Sequence, residues 1–371
     1  MGAGRNSSFR TQETGLNSYA PPKGAHTGVA DYAETLRAAM APFGPLPTPL
    51  YHLGNNRLHT EIYARALAEP GVVVLHDAVL HHFLLGNLPR EKYVEEFVYC
   101  YGEWRRDLAE ELWNERGASG VDPRYFELPM LRRAMERARA VIVHNPGAAR
   151  MARAEGACAV HVIPHFFEAA AMPDAADVAQ FRTRIGVGQG TVLFGVLGYL
   201  RETKRVLASI RTFKKLNEAR PDTALLLAGE IVSRDLARLL ESEGTHPAIR
   251  RLPRLSDHDF LIAGASIDCC LNLRYPGAGE TSGIAIRMMG MGKPVIVTEG
   301  AEYDEIPVTA CLRVSSGVAE KAELFDHMVM AVTLPRIAKE IGDRARRHIR
   351  GNHSLESVAL KYWQVLCAAA S

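Results

Sequence analysis

Glu280 is a lone carboxylate in a glycine-rich turn, Pro276-Gly-Ala-Gly-Glu-Thr-Ser-Gly283, that opens directly into the apolar stretch Ile284-Ala-Ile-Arg-Met-Met289. The run before it, Ile267-Asp-Cys-Cys-Leu-Asn-Leu273, predicts a buried strand, so the turn belongs at a strand's carboxyl end, where open α/β sheets bind ligands. There the free N–H groups of Thr281, Ser282 and Gly283 face an anion and the helix dipole stabilises it. The Glu280 carboxylate accepts hydrogen bonds from neighbouring hydroxyls. This chemistry suits a sugar-phosphate, although such a turn on its own is equally a well-capped connection.

The elements that must position this turn follow from strand and helix signals. Residues 1–15 are polar and irregular and are expected to be disordered. A weak strand at residues 16–22 leads to Thr27, an N-cap that aims free amides and Gly28 back at the strand's end, and to a helix reaching Met40. Residues 49–54 predict a second strand, followed by a helix to Leu67. Gly71-Val-Val-Val-Leu-His-Asp77 is a β-branched run of the kind found inside parallel sheets, ending in polar residues. Helices are expected around 91–117 and 127–138, then a strand at 140–144, a helix opened by Asn145-Pro-Gly147, and a strand at 160–165. In the second half strands fall at 191–197, 223–227, 267–273, 294–298 and 310–314. Such alternation predicts βαβ units on parallel sheets.

The 371 residues exceed one ordinary core and fit two domains. We expect a first domain over 16–166, a linker at 167–178, a second domain over 179–354, and a last helix within 355–371 crossing back to the first. With 47% hydrophobic residues, 23% charged and a net charge of +2, composition points to no nucleic-acid partner. The basic run Arg344-Ala-Arg-Arg-His-Ile-Arg350 reads as a solvated helix face. Six cysteines without a CxxC pair or Cys/His metal spacing read as buried thiols of a reducing cytosol, and the expected location is cytoplasmic. No segment holds the ~20 apolar residues of a membrane span. Trp104-Arg-Arg106 and Trp113 belong to an amphipathic helix expected to pack on the sheet, with peripheral contact at the inner membrane face as the alternative. Oligomeric state is not readable.

Six pieces occur in a particular order: Thr27-Gly-Val-Ala-Asp-Tyr32, Val72-Val-Val-Leu-His-Asp77, Ile163-Pro-His165, Gly198-Tyr-Leu-Arg-Glu-Thr-Lys204, Leu226-Leu-Ala-Gly-Glu230, and Gly279-Glu-Thr-Ser-Gly283 with Gly292-Lys-Pro294. From about residue 19 onward the chain resembles the family 4 retaining glycosyltransferases of the GT-B fold. The resemblance implies two facing Rossmann-like domains, acceptor bound mainly by the first and a UDP- or GDP-sugar mainly by the second. It implies retaining transfer of a hexose to a hydroxyl of a glycan or lipid-linked acceptor, with no metal and no cofactor, by front-side substitution in which the departing diphosphate helps remove the acceptor proton.

By the same resemblance Lys204 is the diphosphate-binding lysine, and a lysine near a positive helix end is itself better explained by an anionic ligand. Tyr199 stands where the family has an arginine, so Arg201 or Arg205 is expected to substitute. Glu280 matches the carboxylate that holds donor-sugar hydroxyls. His76 matches the histidine beside the reactive centre, and Gly28 and Gly198 match the two diphosphate loops. The second, ribose-binding glutamate is missing: Met288 occupies its position, and a one-residue shortening would place Arg287 there. Ser256-Asp257 caps a helix and leaves the adjacent backbone at Leu255 near the base; for that reason Asp257-His-Asp259 is not read as a metal motif. Only some 20 residues separate the Gly28 loop from the next strand, short for the family, so one strand-helix unit is expected to be reduced or lost.

Two other readings remain open: a non-catalytic nucleotide-sugar binding or scaffold protein, and a nucleotide-sugar hydrolase or epimerase on the same architecture. Transfer to an acceptor, binding without turnover, and product formed without acceptor separate the three.

Overall fold

The computed structural model describes residues 17–24, 27–169 and 172–371, so the expectation for residues 1–15 lies outside the described residues. Five parallel strands form a first sheet in chain order: β1 (Ser18–Tyr19), β2 (Leu50–Leu53), β3 (Val72–Leu75), β4 (Ala140–Val143) and β5 (Val160–Val162). Six parallel strands form a second sheet: β6 (Val192–Leu197), β7 (Thr223–Ala228), β8 (Ile249–Leu252), β9 (Cys269–Asn272), β10 (Val295–Thr298) and β11 (Leu312–Val314), ordered 11-10-9-6-7-8. The strand expected at 16–22 is only two residues long. The edge strand β8 was not expected, because Arg250 and Arg251 interrupt its apolar pattern.

In the first half the helices are α1 (Gly28–Met40), α2 (Thr60–Ala68), α3 (His81–Asn87), α4 (Arg90–Tyr101), α5 (Arg106–Glu115), α6 (Arg124–Glu127), α7 (Arg132–Arg137) and α8 (Pro146–Ala154). The single helix expected at 91–117 is broken at Gly102, whose φ of 93° lies in the left-handed region that favours glycine. The second half carries α9 (Ala175–Arg184), α10 (Val206–Ala219), α11 (Arg234–Glu243), α12 (Asp257–Ser266), α13 (Gly283–Gly290), α14 (Glu320–Thr333) and α15 (Pro335–Asn352). The last helix, α16 (Leu355–Ala370), returns to the first sheet, where Tyr362 and Leu366 join Leu50, Val72, Val74 and Ile142 in one core.

Strand alternation divides each sheet between two cores. In the first, Tyr51, Val73, Leu75 and Val141 face α2 to α8, whereas Leu50, Val72, Val74 and Ile142 face α1 and α16. All steps from β1 to β5 run in the same direction across the sheet, yet α1 covers the face opposite to the other connecting helices. The β1-α1-β2 unit therefore has the opposite hand to the three that follow, and the right-handed rule makes it the exception. That reversed connection falls in the short stretch after Gly28.

The second sheet reverses direction between β6 and β9: β7 and β8 build outward on one side of β6, β9 to β11 on the other. Crevices for ligands form at such switch points, beyond the strands' carboxyl ends. Gly198-Tyr199 leaves β6 there, and Arg274 to Glu280 leaves β9 there.

Candidate active site

The cleft between the sheets holds a cavity of about 300 Å³ walled by Gly28, Gly198, Arg201, Lys204, Leu255, Glu280 and Arg287 among others. A larger cavity of about 940 Å³ shares Gly28, Arg201, Glu280 and Arg287 and extends over the first sheet to His76, Asp77, Asn55, Thr281 and Gly283. Ten of the twelve sequence-expected donor and catalytic positions thus meet on one surface; to the other two, Arg205 and Ser282, the structure gives other work, described below.

The floor of the small cavity is the β6 end. Gly198 has φ of 81°, and a Cβ there would stand 2.3 Å from Ile284 Cδ1 and 3.3 Å from Lys204 Nζ, so only glycine lets the loop pass between them. Lys204 ends a short 3-10 turn and is folded inward, 7% exposed, donating from Nζ to the Leu197 carbonyl at 2.9 Å. Burial, with the charges of Arg274 and Arg201, lowers its pKa to about 7. An anion entering the cavity would restore the full charge. Arg201 lines both cavities with its guanidinium carbon 5.7 Å from the Tyr199 ring centre.

Arg205 does not join them. It occupies a left-handed turn position with φ of 55°, and its guanidinium donates two hydrogen bonds to the buried Glu320 carboxylate, at 2.7 and 2.9 Å. Ser282 is turned inward as well: its hydroxyl caps α13 by accepting from Ala285 N at 3.3 Å and donates to Asn272 Oδ1 at 3.1 Å. Its contribution to an anion is limited to the backbone.

Glu280 is held in its own loop by an ion pair to Arg274 Nη1 and by the Ala278 N–H, 2.7 Å from Oε2. The loop in turn is fastened to the first half. Ala78 N donates to Ala278 O at 2.8 Å, and Asn145 Nδ2 donates to Gly279 O at 2.9 Å and Thr281 Oγ1 at 3.0 Å. Gly279, φ 70°, approaches so closely that a Cβ would lie 2.8 Å from Ala78 Cβ. Of the two residues proposed for the missing glutamate's place, Met288 is fully buried in the second core, whereas Arg287 reaches the cleft with its guanidinium 5.6 Å from the Phe260 ring centre.

His76 belongs to a buried group that spacing did not reveal. Its Nε2 lies 2.9 Å from His52 Nδ1, and the rings of His52, His76, His144 and His165 surround Tyr32 at 4.8 to 6.2 Å. Burial, reinforced by repulsion from neighbouring histidines, lowers the pKa of His52 to about 3, His144 to about 4 and His165 to about 3, and holds His76 well below its ordinary value. These rings are neutral at pH 7, giving a wall of donors and acceptors without charge. Asp77, next to His76, is raised to about 6, first by burial and then by the Glu280 charge. Asp77, Asn145 and Arg274 are the functional candidates that sequence reasoning passed over; Asp77 stood beside a chosen residue, and the other two act across elements.

No helix among the described residues is long and apolar enough to cross a membrane, and no group of three or more His, Cys, Asp or Glu among them is placed to hold a metal ion. Neither a family model nor a curated protein matches the sequence. Solved structures do. The chain is similar to Anabaena Alr3699/HepE in complex with UDP-glucose (TM-score 0.64, 14% identity, 92% of this chain and 82% of that one). It is similar to sucrose-phosphate synthase from Thermosynechococcus elongatus (0.62, 15%, 91% and 77%). It is also similar to WaaG, a glycosyltransferase involved in lipopolysaccharide biosynthesis (0.61, 13%, 91% and 96%). With its two parallel sheets and the cleft between them, the chain has the GT-B fold of glycosyltransferases.

Proposed function

We propose that the protein is a retaining glycosyltransferase that moves a hexose from a UDP- or GDP-sugar to a hydroxyl of a glycan or lipid-linked acceptor without a metal ion. The observation that carries this reading is the meeting of Lys204, Arg201, Arg287 and Glu280, from the switch point of the second sheet, with His76 and Asp77 from the first, on one continuous cavity surface. The first half, with the returning α16, takes the acceptor, and the second half takes the donor. HepE, of similar fold, is solved with UDP-glucose, which supports a nucleotide-sugar donor here.

In this reading the diphosphate lies against Gly198, Lys204, Arg201 and the amino end of α13, where cations and free amides offset the charge that develops as it leaves. Glu280 accepts hydrogen bonds from the sugar hydroxyls. Arg287 cannot accept from ribose hydroxyls; the carboxylates of the small cavity available to do so are Glu230 and Asp257.

A thermal-shift screen with UDP, GDP and their sugars identifies the donor, because a ligand that binds the native state raises the melting temperature. With that donor, Glu280→Ala and Lys204→Ala should each lose orders of magnitude in turnover, chelator should leave turnover unchanged, and NMR of the product should show the donor's anomeric configuration. Unchanged rates in both variants would remove the assignment.

A further inference from the structure

The first-sheet part of the large cavity contains a carboxylate to which the donor contacts proposed above give no part. Asp77 follows β3, which lies between β2 and β4 in the middle of its sheet, and it lines the large cavity but not the small one. Asn55 holds it and is itself held by Phe83 and His82. Asn55 N donates to Asp77 Oδ2 at 2.7 Å; Asn55 Oδ1 accepts from Phe83 N at 2.7 Å; and Asn55 Nδ2 lies 3.2 Å from His82 Nδ1. His82 Nε2 is 2.9 Å from the Ser119 carbonyl, which can only accept, so the ring proton sits on Nε2 and Nδ1 receives the asparagine amide. The other oxygen, Oδ1, has no hydrogen-bond partner among the described residues and is not shut off from the cavity.

Glu280 plays a different part: Arg274 and the Ala278 N–H fix it in its loop, and its remaining lone pairs accept from the sugar hydroxyls. The two carboxylates that face each other across the cleft therefore have separate work, one fixing the sugar and the other open towards the acceptor side. The charged and titratable groups acting on Asp77 are Glu280, Arg201 and Arg274 from the second half. His59 is near it in the first half, its ring and the Asp77 carboxylate flanking Gly54.

Resting on the glycosyltransferase reading, we infer that Asp77 is the base of the reaction: Oδ1 takes the proton of the acceptor hydroxyl, a role otherwise left to the departing diphosphate. The acceptor oxygen forms its bond to the anomeric carbon, the bond from that carbon to the diphosphate oxygen breaks with its electron pair going to the diphosphate, and the hydroxyl proton passes to Asp77. Protonated Asp77 then returns its proton to solvent when products leave. The acceptor hydroxyl lies on the first-sheet side, within hydrogen-bond reach of Oδ1, and the Asn55–His82 series keeps the carboxylate aimed there.

The test is turnover against pH for the wild-type protein and Asp77→Asn with saturating donor. Asp77→Asn should lose about 10²- to 10⁴-fold in kcat, with donor affinity by calorimetry unchanged, and added formate should restore part of the loss. The wild type should show an acid limb near pH 6, where Asp77 becomes protonated, and the variant should lack it. An Asp77→Asn kcat close to wild type with the same acid limb would overturn the inference while leaving the transferase reading intact. Absence of product from the wild type with any donor would overturn both. If Asp77→Asn does not fold, the wild-type profile and Asp77→Glu decide: no acid limb in the one and no change of limb in the other would sink the proposal.

Discussion

The side-chain amide of Asn145 spans the cleft to Gly279, donating to its carbonyl at 2.9 Å while its own Oδ1 caps α8 through Ala148 N at 2.8 Å. One side chain thus closes a helix of the first half and positions the loop that carries Glu280. Asn145→Ser keeps a capping oxygen but has no amide to reach Gly279 and Thr281. Loss of a buried hydrogen bond of about 1–3 kcal/mol predicts a 10- to 100-fold lower kcat/KM for the donor with little change in melting temperature. Steady-state kinetics beside a thermal melt check this; equal kcat/KM would show that the loop is placed by packing alone.

Lys204 makes donor binding depend on pH. With a free-state pKa of about 7, it is progressively deprotonated above neutrality, and a diphosphate that requires the ammonium must then supply the cost of protonating it. Donor affinity is expected to fall by up to about tenfold per pH unit above pH 7, consistent with ~1.4 kcal/mol per unit. Lys204→Met should bind weakly at pH 6.5 and show no such slope. Calorimetric titration of the donor sugar between pH 6 and 9 reads both.

The histidine cluster predicts acid lability. The folded-state pKa values of His52, His144 and His165 lie below the unfolded value of about 6.5, so the unfolded chain binds protons that the native one refuses, and stability falls as pH drops below that value. Raised carboxyls such as Asp77 and Glu302 act in the opposite sense. Because each ring held neutral contributes up to ~1.4 kcal/mol per pH unit, urea unfolding should show at least about 3 kcal/mol less stability at pH 5 than at pH 7.5. Equal stability at the two values would mean that the cluster opens to water.

Arg205 separates stability from catalysis. Removing it leaves Glu320 buried and unpaired, a loss of about 3–5 kcal/mol when one partner of such a pair is deleted. Arg205→Ala should unfold at a lower denaturant concentration yet keep its KM for the donor at 20 °C, whereas Arg201→Ala should do the reverse. A raised KM in the first variant would return Arg205 to the donor site.

How much of this could be read from the sequence follows from how far each residue acts. Thr27 capping α1, Ser256 capping α12 and the runs that became β3, β6 and β9 were readable because propensity and periodicity are local. The edge strand β8 was hidden since two arginines break its alternation, which an edge tolerates. Spacing placed Arg201 and Arg205 as equal candidates, and only the left-handed turn at Arg205 sends one to the cleft and the other to Glu320. The choice between Met288 and Arg287 needed the helix phase of α13, fixed by Ser282 as its cap. Asn145 carried no signal beyond a helix cap, because its partners lie 134 and 136 residues away in a loop of the other sheet.

The return of α16 bears on how the chain acquires its fold. Tyr362 meets Tyr32 at 3.1 Å across 330 residues, and the face formed by Leu50, Val72, Val74 and Ile142 is completed only by that last helix. During synthesis the first sheet therefore waits, one apolar face covered by α1 alone, until the whole second half has been made. Such long-range closure slows folding and leaves sticky surface exposed in the interval. The first half is accordingly a poor candidate for expression by itself, and a chain cut before Leu355 should emerge as aggregate or in the company of chaperones.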